Sequence, residues 1–236
     1  MRGVGFRWNL CYDDAGLREE METAIRVRGK IPEWVRWLAL LWLVVWVPVY
    51  WHAWGAGNFL HLCDVAVILA CIGLWTGNAL LLSSQAISSV VIDALWTLDV
   101  VTGLLFRRHF IGGTEYLFDG TMPVWIRLLS LFHIVMPFVL VWSLSRLGYD
   151  RRGFALQAAI ALPVVIASRF VTPAQNLNFA QTAPFFHRQL GPAPVHLTIT
   201  YLAVVLGVYS PTHVVFRRWF RPPEERGHRH SAKRVM

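Results

Sequence analysis

Asn58, His61 and Asp64 are spaced by three residues, which on a helix places them on one arc of a single face. Asp93 and Asp99 stand in the next apolar run, Arg127, Ser130 and His133 in the one after it, and Arg169, Asn176 and Asn178 further on. An ionisable group in so apolar a setting costs about 2.5 to 3.5 kcal/mol on insertion scales, so each calls for a partner or a purpose. A histidine beside carboxylates is suited to acid-base work near neutral pH. His133, Asp64 and Asp99 are therefore the candidate catalytic residues, with His133 as general acid or base and Asp64 or Asp99 orienting it. Asn58, His61, Arg127, Asn176 and Asn178 are the candidates for binding substrate, the asparagines as hydrogen-bond donors. Asp93, set deeper, would serve a transporter as its proton- or ion-coupling carboxylate.

The same residues also admit a purely structural reading, in which interhelical pairs such as Asp99 with Arg127 hold a small bundle together. His61 and Asp64 have a spacing compatible with a shared metal, but no His-rich or His-Glu-x-x-His motif accompanies them, so no metal is assigned. No motif assigns a cofactor either. Cys11, Cys63 and Cys71 make no ligand pattern and suggest no disulfide framework. Cys63 and His61, two residues apart, diverge on a helix. Ser83, Ser84, Ser88 and Ser89 suit close helix packing, and the twelve tryptophans suit interface anchoring. His213, beside Pro211, reads as a helix-end hydrogen bond.

The elements that must position these groups are long apolar segments. Of 236 residues, 56% are apolar and 15% charged, and the mean hydropathy is +0.46, more apolar surface than a soluble domain of this size buries. The expected fold is an all-α membrane protein, a six-transmembrane-helix bundle. Its spans fall near residues 37–54, 58–75, 80–105, 123–147, 154–171 and 195–215. The stretch 58–106 would be about 74 Å long as one helix, more than twice the hydrocarbon thickness, so it must turn, and Thr76-Gly77-Asn78 is where. Pro123 suits a first helical turn, and Pro48 is placed to kink the first span. The connection 172–194 is expected to re-enter or to lie on the interface.

Residues 1–33 read as a cytoplasmic segment with a short amphipathic surface helix over 15–28, residues 34–216 as the membrane domain, and residues 217–236 as a basic cytoplasmic tail. The net charge of +8 gathers before the first span, in the 146–152 loop and in the tail, where His228 and His230 also lie. That is the positive-inside pattern of an even number of spans with both termini cytoplasmic in a bacterial inner membrane, and it argues against nucleic acid as a partner. The expected partners are the lipid bilayer, a lipid or small-molecule ligand, and other membrane subunits. Three functions compete: an enzyme acting on a lipid or small amphiphile in the outer half of the bundle, a small-solute or proton-coupled transporter, and an accessory subunit of a larger complex.

Several runs carry a family likeness: Asn58-Phe59-Leu60 with Asp64, Leu95-Trp96 with Asp99, Tyr116-Leu117-Phe118-Asp119, Leu128-Leu129-Ser130-Leu131-Phe132-His133, Leu147-Gly148-Tyr149-Asp150-Arg151-Arg152, Asn176 with Asn178, and Pro211-Thr212-His213. Over about residues 50 to 220 the chain resembles a family of small bacterial multi-pass integral membrane proteins to which no activity is assigned. The resemblance implies a membrane-embedded fold. Its best-matching positions are Asn58, Asp64, Asp99, Asp119, His133, Asn176 and Asn178, whereas the family is aromatic around residue 61.

Overall fold

The computed structural model describes residues 30–171 and 173–220. The expected surface helix over 15–28, Cys11 and the tail histidines His228 and His230 lie outside them. The compact unit that carries the site begins at Ile31. Among the described residues all regular structure is helical: α1 Glu33–Trp54, α2 Leu62–Thr76, α3 Ala79–Phe106, α4 Val124–Leu129, α5 Phe132–Leu147, α6 Gly153–Ser168, α7 Ala193–Val204 and α8 Ser210–Trp219. α4 and α5 form one rod, as do α7 and α8, joined through the π turn Val205–Tyr209. Four rods are long and apolar enough to cross a membrane: Glu33–Trp54, Ala79–Phe106, Val124–Leu147 and Ala193–Trp219. α2 and α6 are shorter apolar helices of 15 and 16 residues, about 22 to 24 Å against a hydrocarbon core of roughly 30 Å.

The chain turns where the length of the 58–106 stretch demands it. Gly77 ends α2 in the left-handed region at φ 65°, a conformation that costs glycine nothing. The Asn78 side chain then accepts from the Leu81 backbone N–H at 3.0 Å and caps α3. α3 is the centre of the bundle and packs against α2, α5 and α6. Its contact with α6 is as close as backbones allow. A Cβ on Gly153 would lie 2.8 Å from the Ser83 Cβ and 2.9 Å from the Ser84 backbone nitrogen.

Two ends of the bundle can be told apart. At one, Arg36 lies beside Gly77, Asp150 N–H donates to Ser83 Oγ at 2.9 Å, and Tyr149 N–H donates to the Phe220 carbonyl. The chain therefore enters and leaves at this Gly77 end. The opposite end is irregular, built from residues 55–61, 107–123 and 169–192, with short 3-10 turns at Ala56–Leu60, Glu115–Phe118 and Leu177–Phe179. α2 and α6 both stop there, so these loops fill the space that their missing turns would have occupied.

The outward surface is apolar. Leu105, Phe138 and Phe170 are 69%, 72% and 83% exposed, and only about a fifth to a third of each long rod's apolar stretch is covered by the rest of the protein. Water would penalise such a surface heavily, whereas hydrocarbon accepts it. The buried interior combines an apolar core with enclosed polar groups, among them Asp64, Asp93, Asp99, His133, Gln85, Gln157, His196 and a run of serines.

Candidate functional site

The first group forms where α2 begins. The 3-10 turn Ala56–Leu60 brings Asn58 over the first turn of α2, and its Nδ2 donates to Asp64 Oδ2 at 2.6 Å. Cys63 Sγ lies 3.9 Å from Asp64 Oδ1. Being in the first helical turn, the Asp64 carboxylate also faces the positive end of the α2 dipole. His61 is the extended residue just before the helix, so the three-residue spacing read as one helical arc joins Asn58 to Asp64 through a turn instead.

α3 and α5 supply the second group. Pro137 has no N–H to return to the His133 carbonyl four residues earlier, and the rod tightens just before it. Ser130, Leu131, His133 and Ile134 N–H groups bond to carbonyls three residues back. This exposes the Ser130 carbonyl to the His133 ring, whose Nδ1 donates to it at 2.8 Å. A carbonyl can only accept, so neutral His133 carries its proton on Nδ1 and keeps Nε2 as the basic nitrogen. The ring is stacked between Trp96 of α3, at 4.3 Å and 12°, and Phe132, at 4.0 Å. His61 is near enough for its charge to act on His133. The Ser130 hydroxyl meets Tyr50 Oη at 2.7 Å, and Tyr116, from the loop above, lies close to both.

Asp93 completes the layer, one turn along α3 from Trp96. It is 1% exposed, and neither carboxylate oxygen has a hydrogen-bond partner. It is close enough to Asp64 for the two carboxyl groups to act on each other electrostatically, and both act on Cys63. Measured along their helices, Asp64, Asp93 and His133 stand about 20 to 24 Å from the Gly77 end. They share one level, just below the irregular loops.

The other four predicted residues serve the loops. Asp99 accepts from the Ile111 backbone N–H at 2.7 Å and from Thr114 Oγ1, and lies 3.3 Å from His109 Nδ1. It thus folds 109–114 back onto α3 instead of reaching His133. The Asp99–Arg127 pair of the structural reading does not form in this way either, since Arg127 Nη1 donates to the Leu117 carbonyl at 2.6 Å. Asn178 accepts from Leu62 N–H at 2.9 Å, filling one of the open donors of α2, and its Nδ2 donates to the Leu60 carbonyl and to Ser168 Oγ. Asn176 accepts from the Gln181 and Thr182 N–H groups and donates to Thr182. Both asparagines adopt positive φ, 42° and 50°, as their short amide side chains permit. Their hydrogen bonds go to the loop backbone and to the Ser168 and Thr182 hydroxyls. His213 bonds Tyr149 Oη at 2.6 Å, a side-chain contact to another segment from within α8 instead of the helix-end hydrogen bond expected of it.

The layer thus brings together Asn58, His61, Asp64 and His133 of the predicted set and adds Asp93, Cys63, Tyr50, Ser130, Tyr116 and Trp96. Tyr50 and Tyr116 had no sequence signal beyond being polar-tipped aromatics near the ends of apolar runs. Among the described residues no three His, Cys, Asp or Glu side chains are grouped as metal ligands. Chemically, the layer offers two interacting carboxyl groups and an imidazole with its basic nitrogen defined, enclosed by aromatic rings. No family model, curated protein or solved structure matches this chain.

Proposed function

We propose that the protein is a multi-pass protein of a bacterial inner membrane, with six helices crossing and both termini cytoplasmic. In this reading the Asp64–Asp93–His133 layer performs acid-base chemistry on a lipid headgroup or small amphiphile. The alternation of six rods between two ends supports the topology. So does the charge: Arg36, Arg146, Arg151, Arg152, Arg217 and Arg218 belong to the Gly77 end, which is the cytoplasmic one by the positive-inside rule. The short helices α2 and α6 also cross in this reading, with Asn58, Leu177 and Ala180 of the irregular loops buried against the bundle, the circumstance that tolerates non-helical backbone at membrane depth. Membership of the small bacterial membrane-protein family belongs to the same proposal.

The observation that carries the chemistry is Asp93. A buried carboxyl with both oxygens unpaired is costly to hold, and a second carboxyl beside it makes holding two negative charges costlier still. In this reading the two carboxyl groups exchange a proton with a neighbouring base. His133, stacked on Trp96 one turn along α3 from Asp93, offers Nε2 as the general base or acid toward a hydroxyl or phosphate-bearing headgroup in this reading.

The test is lipid analysis by mass spectrometry of the full chain in nanodiscs made from bacterial lipids. The native protein is expected to hold or convert a lipid species that His133→Ala and Asp93→Asn neither hold nor convert. Identical lipid profiles in all three, with nothing bound, would overturn the proposal.

A further inference from the structure

Seven buried side-chain nitrogen and oxygen atoms lack a hydrogen-bond partner among the described residues, and four of them belong to three residues of α3: Gln85 Oε1, Ser89 Oγ and both Asp93 oxygens. These residues are four apart, so they form a stripe about 12 Å long that turns through only about 80°. All three are at most 2% exposed. Gln85 directs its Nε2 at Ser84 Oγ, 2.7 Å, and at Gln157 Oε1, 3.4 Å, which leaves its carbonyl oxygen as a bare acceptor. The unmet atoms are therefore all oxygens that can accept, and what they lack is a donor. The rise between successive members is about 6 Å, roughly two hydrogen bonds of about 2.8 Å end to end, the span of one bridging water.

The stripe also has neighbours at both ends. Toward the Gly77 end, Gln157 passes from Gln85 to Tyr209 Oη at 3.3 Å, and Ser83 Oγ accepts from Asp150 N–H in the connecting loop. At the other end Asp93 lies within electrostatic range of Asp64, which Asn58 joins to the half-buried His61 turn.

We propose that the Gln85–Ser89–Asp93 stripe holds a file of buried water that conducts protons between the Gly77 end of the bundle and the Asp64–Asp93–His133 layer. No bond to carbon is made or broken. A proton enters the file at the Gln85 end, each water passes one proton on, and Asp93 takes it up and releases it to Asp64 or His133. From there it leaves past the half-buried His61 turn to the opposite side and frees the relay for the next. The inference rests on the reading that Asp93 exchanges protons, but it needs no substrate.

The experiment uses the full chain in proteoliposomes containing an entrapped pH dye, with a potassium diffusion potential set by valinomycin in sodium-free buffer. The native protein is expected to move protons faster than protein-free vesicles. Asp93→Asn should return the rate to the protein-free level, a loss of about tenfold or more for removal of the one ionisable relay group in the stripe. Ser89→Ala should slow it severalfold, and Thr76→Ala, an exposed residue off the stripe, should leave it unchanged. A native rate equal to that of empty vesicles would overturn the proposal, as would full conduction in Asp93→Asn or Ser89→Ala. So would a potential that decays only when sodium is added and without a dye response, which would make the stripe an alkali-cation site. If the variants fail to fold, infrared spectroscopy of the native chain decides. A protonated carboxyl band that shifts within seconds of transfer to deuterium oxide supports the water file, and one unshifted after hours refutes it. Lipid conversion without conduction would sink this inference alone, and conduction without lipid conversion would sink only the enzymatic reading.

Discussion

Asp93 and Asp99 are six residues apart on the same helix, chemically identical and both about 1% exposed, yet their surroundings differ in the one respect that matters. Asp99 is saturated with donors from Ile111, Thr114 and His109, whereas Asp93 has none. Truncating Asp99 strands a buried N–H and a hydroxyl, so Asp99→Ala is expected to cost about 1 to 3 kcal/mol in unfolding measurements in detergent. Asp93→Asn removes an ionisable carboxyl that has no hydrogen-bond partner, without changing its shape. It is expected to leave the melting temperature unchanged or raised while abolishing lipid conversion, the stability-for-function exchange of an active site. A melting temperature lowered as far as in Asp99→Ala would show that Asp93 is a structural residue.

Asp150 gives the pH prediction at the same scale. Its hydrogen bonds from the Arg152 side chain, at 2.7 to 3.3 Å, hold the carboxyl below the ordinary carboxylate range. The folded value lies below an unfolded one of about 3.9, so this contact stabilises the loop fully above about pH 4 and is lost as the pH falls through the folded value. Following the Arg152 backbone amide, which donates to Asp150 Oδ1 at 2.9 Å, by nuclear magnetic resonance should give a midpoint below 3.9. Arg152→Gln should move that midpoint upward, and an unmoved midpoint would contradict the assignment.

The helices are set by a few local features whose consequences can be ranked. Gly77 would bring a Cβ only into ordinary contact with the end of the Arg36 side chain, at 3.9 Å, but has a φ of 65°, and Gly153 has an ordinary φ but a neighbouring backbone atom 2.9 Å from where a Cβ would sit. Gly77→Ala is expected to cost about 1 kcal/mol from the left-handed conformation alone. Gly153→Ala should cost more, about 1 to 3 kcal/mol, because α3 and α6 must move apart. Thermal unfolding of the two variants checks the order, and the reverse ranking would mean that the α3–α6 contact yields easily. These elements were largely legible in the sequence. A 49-residue apolar stretch cannot cross a roughly 30 Å layer once, so a Gly-Asn pair near its middle had to be the turn. The sequence did not announce that α2 and α6 would stop short, because apolar residues continue past their ends and only the packed loops decide where helical hydrogen bonding gives way. Nor did it announce the break at Ser130–Leu131, which shows only in the three-residue hydrogen bonds there.

At the scale of the whole molecule, the proposed topology sets the 148–152 loop and the 107–123 connection on opposite sides of the membrane. A single cysteine introduced at Arg151 should react with a membrane-impermeant maleimide only after the cells are opened, and one at Asp119 should react in intact cells. Both labelling from the same side would refute the six-span arrangement.

Composition alone determined that this chain is helical and rich in segments suited to lipid, because no packing can hide so much apolar surface and no other local structure satisfies backbone groups within a single segment. It also determined that the buried polar residues would need explaining. Which of them face one another was decided only by the tertiary structure. Asn178 and Asp64 are 114 residues apart in the chain, yet both attend the start of α2. Asp99 was drawn away from His133 by a loop ten residues downstream that needed an acceptor. A hydrogen bond has a reach of about 3 Å, and no spacing along a sequence resolves that distance between separate helices. The sequence could nominate Asp64 and His133, but only the packing of α2, α3 and α5 set Asp93 in their layer with no partner of its own.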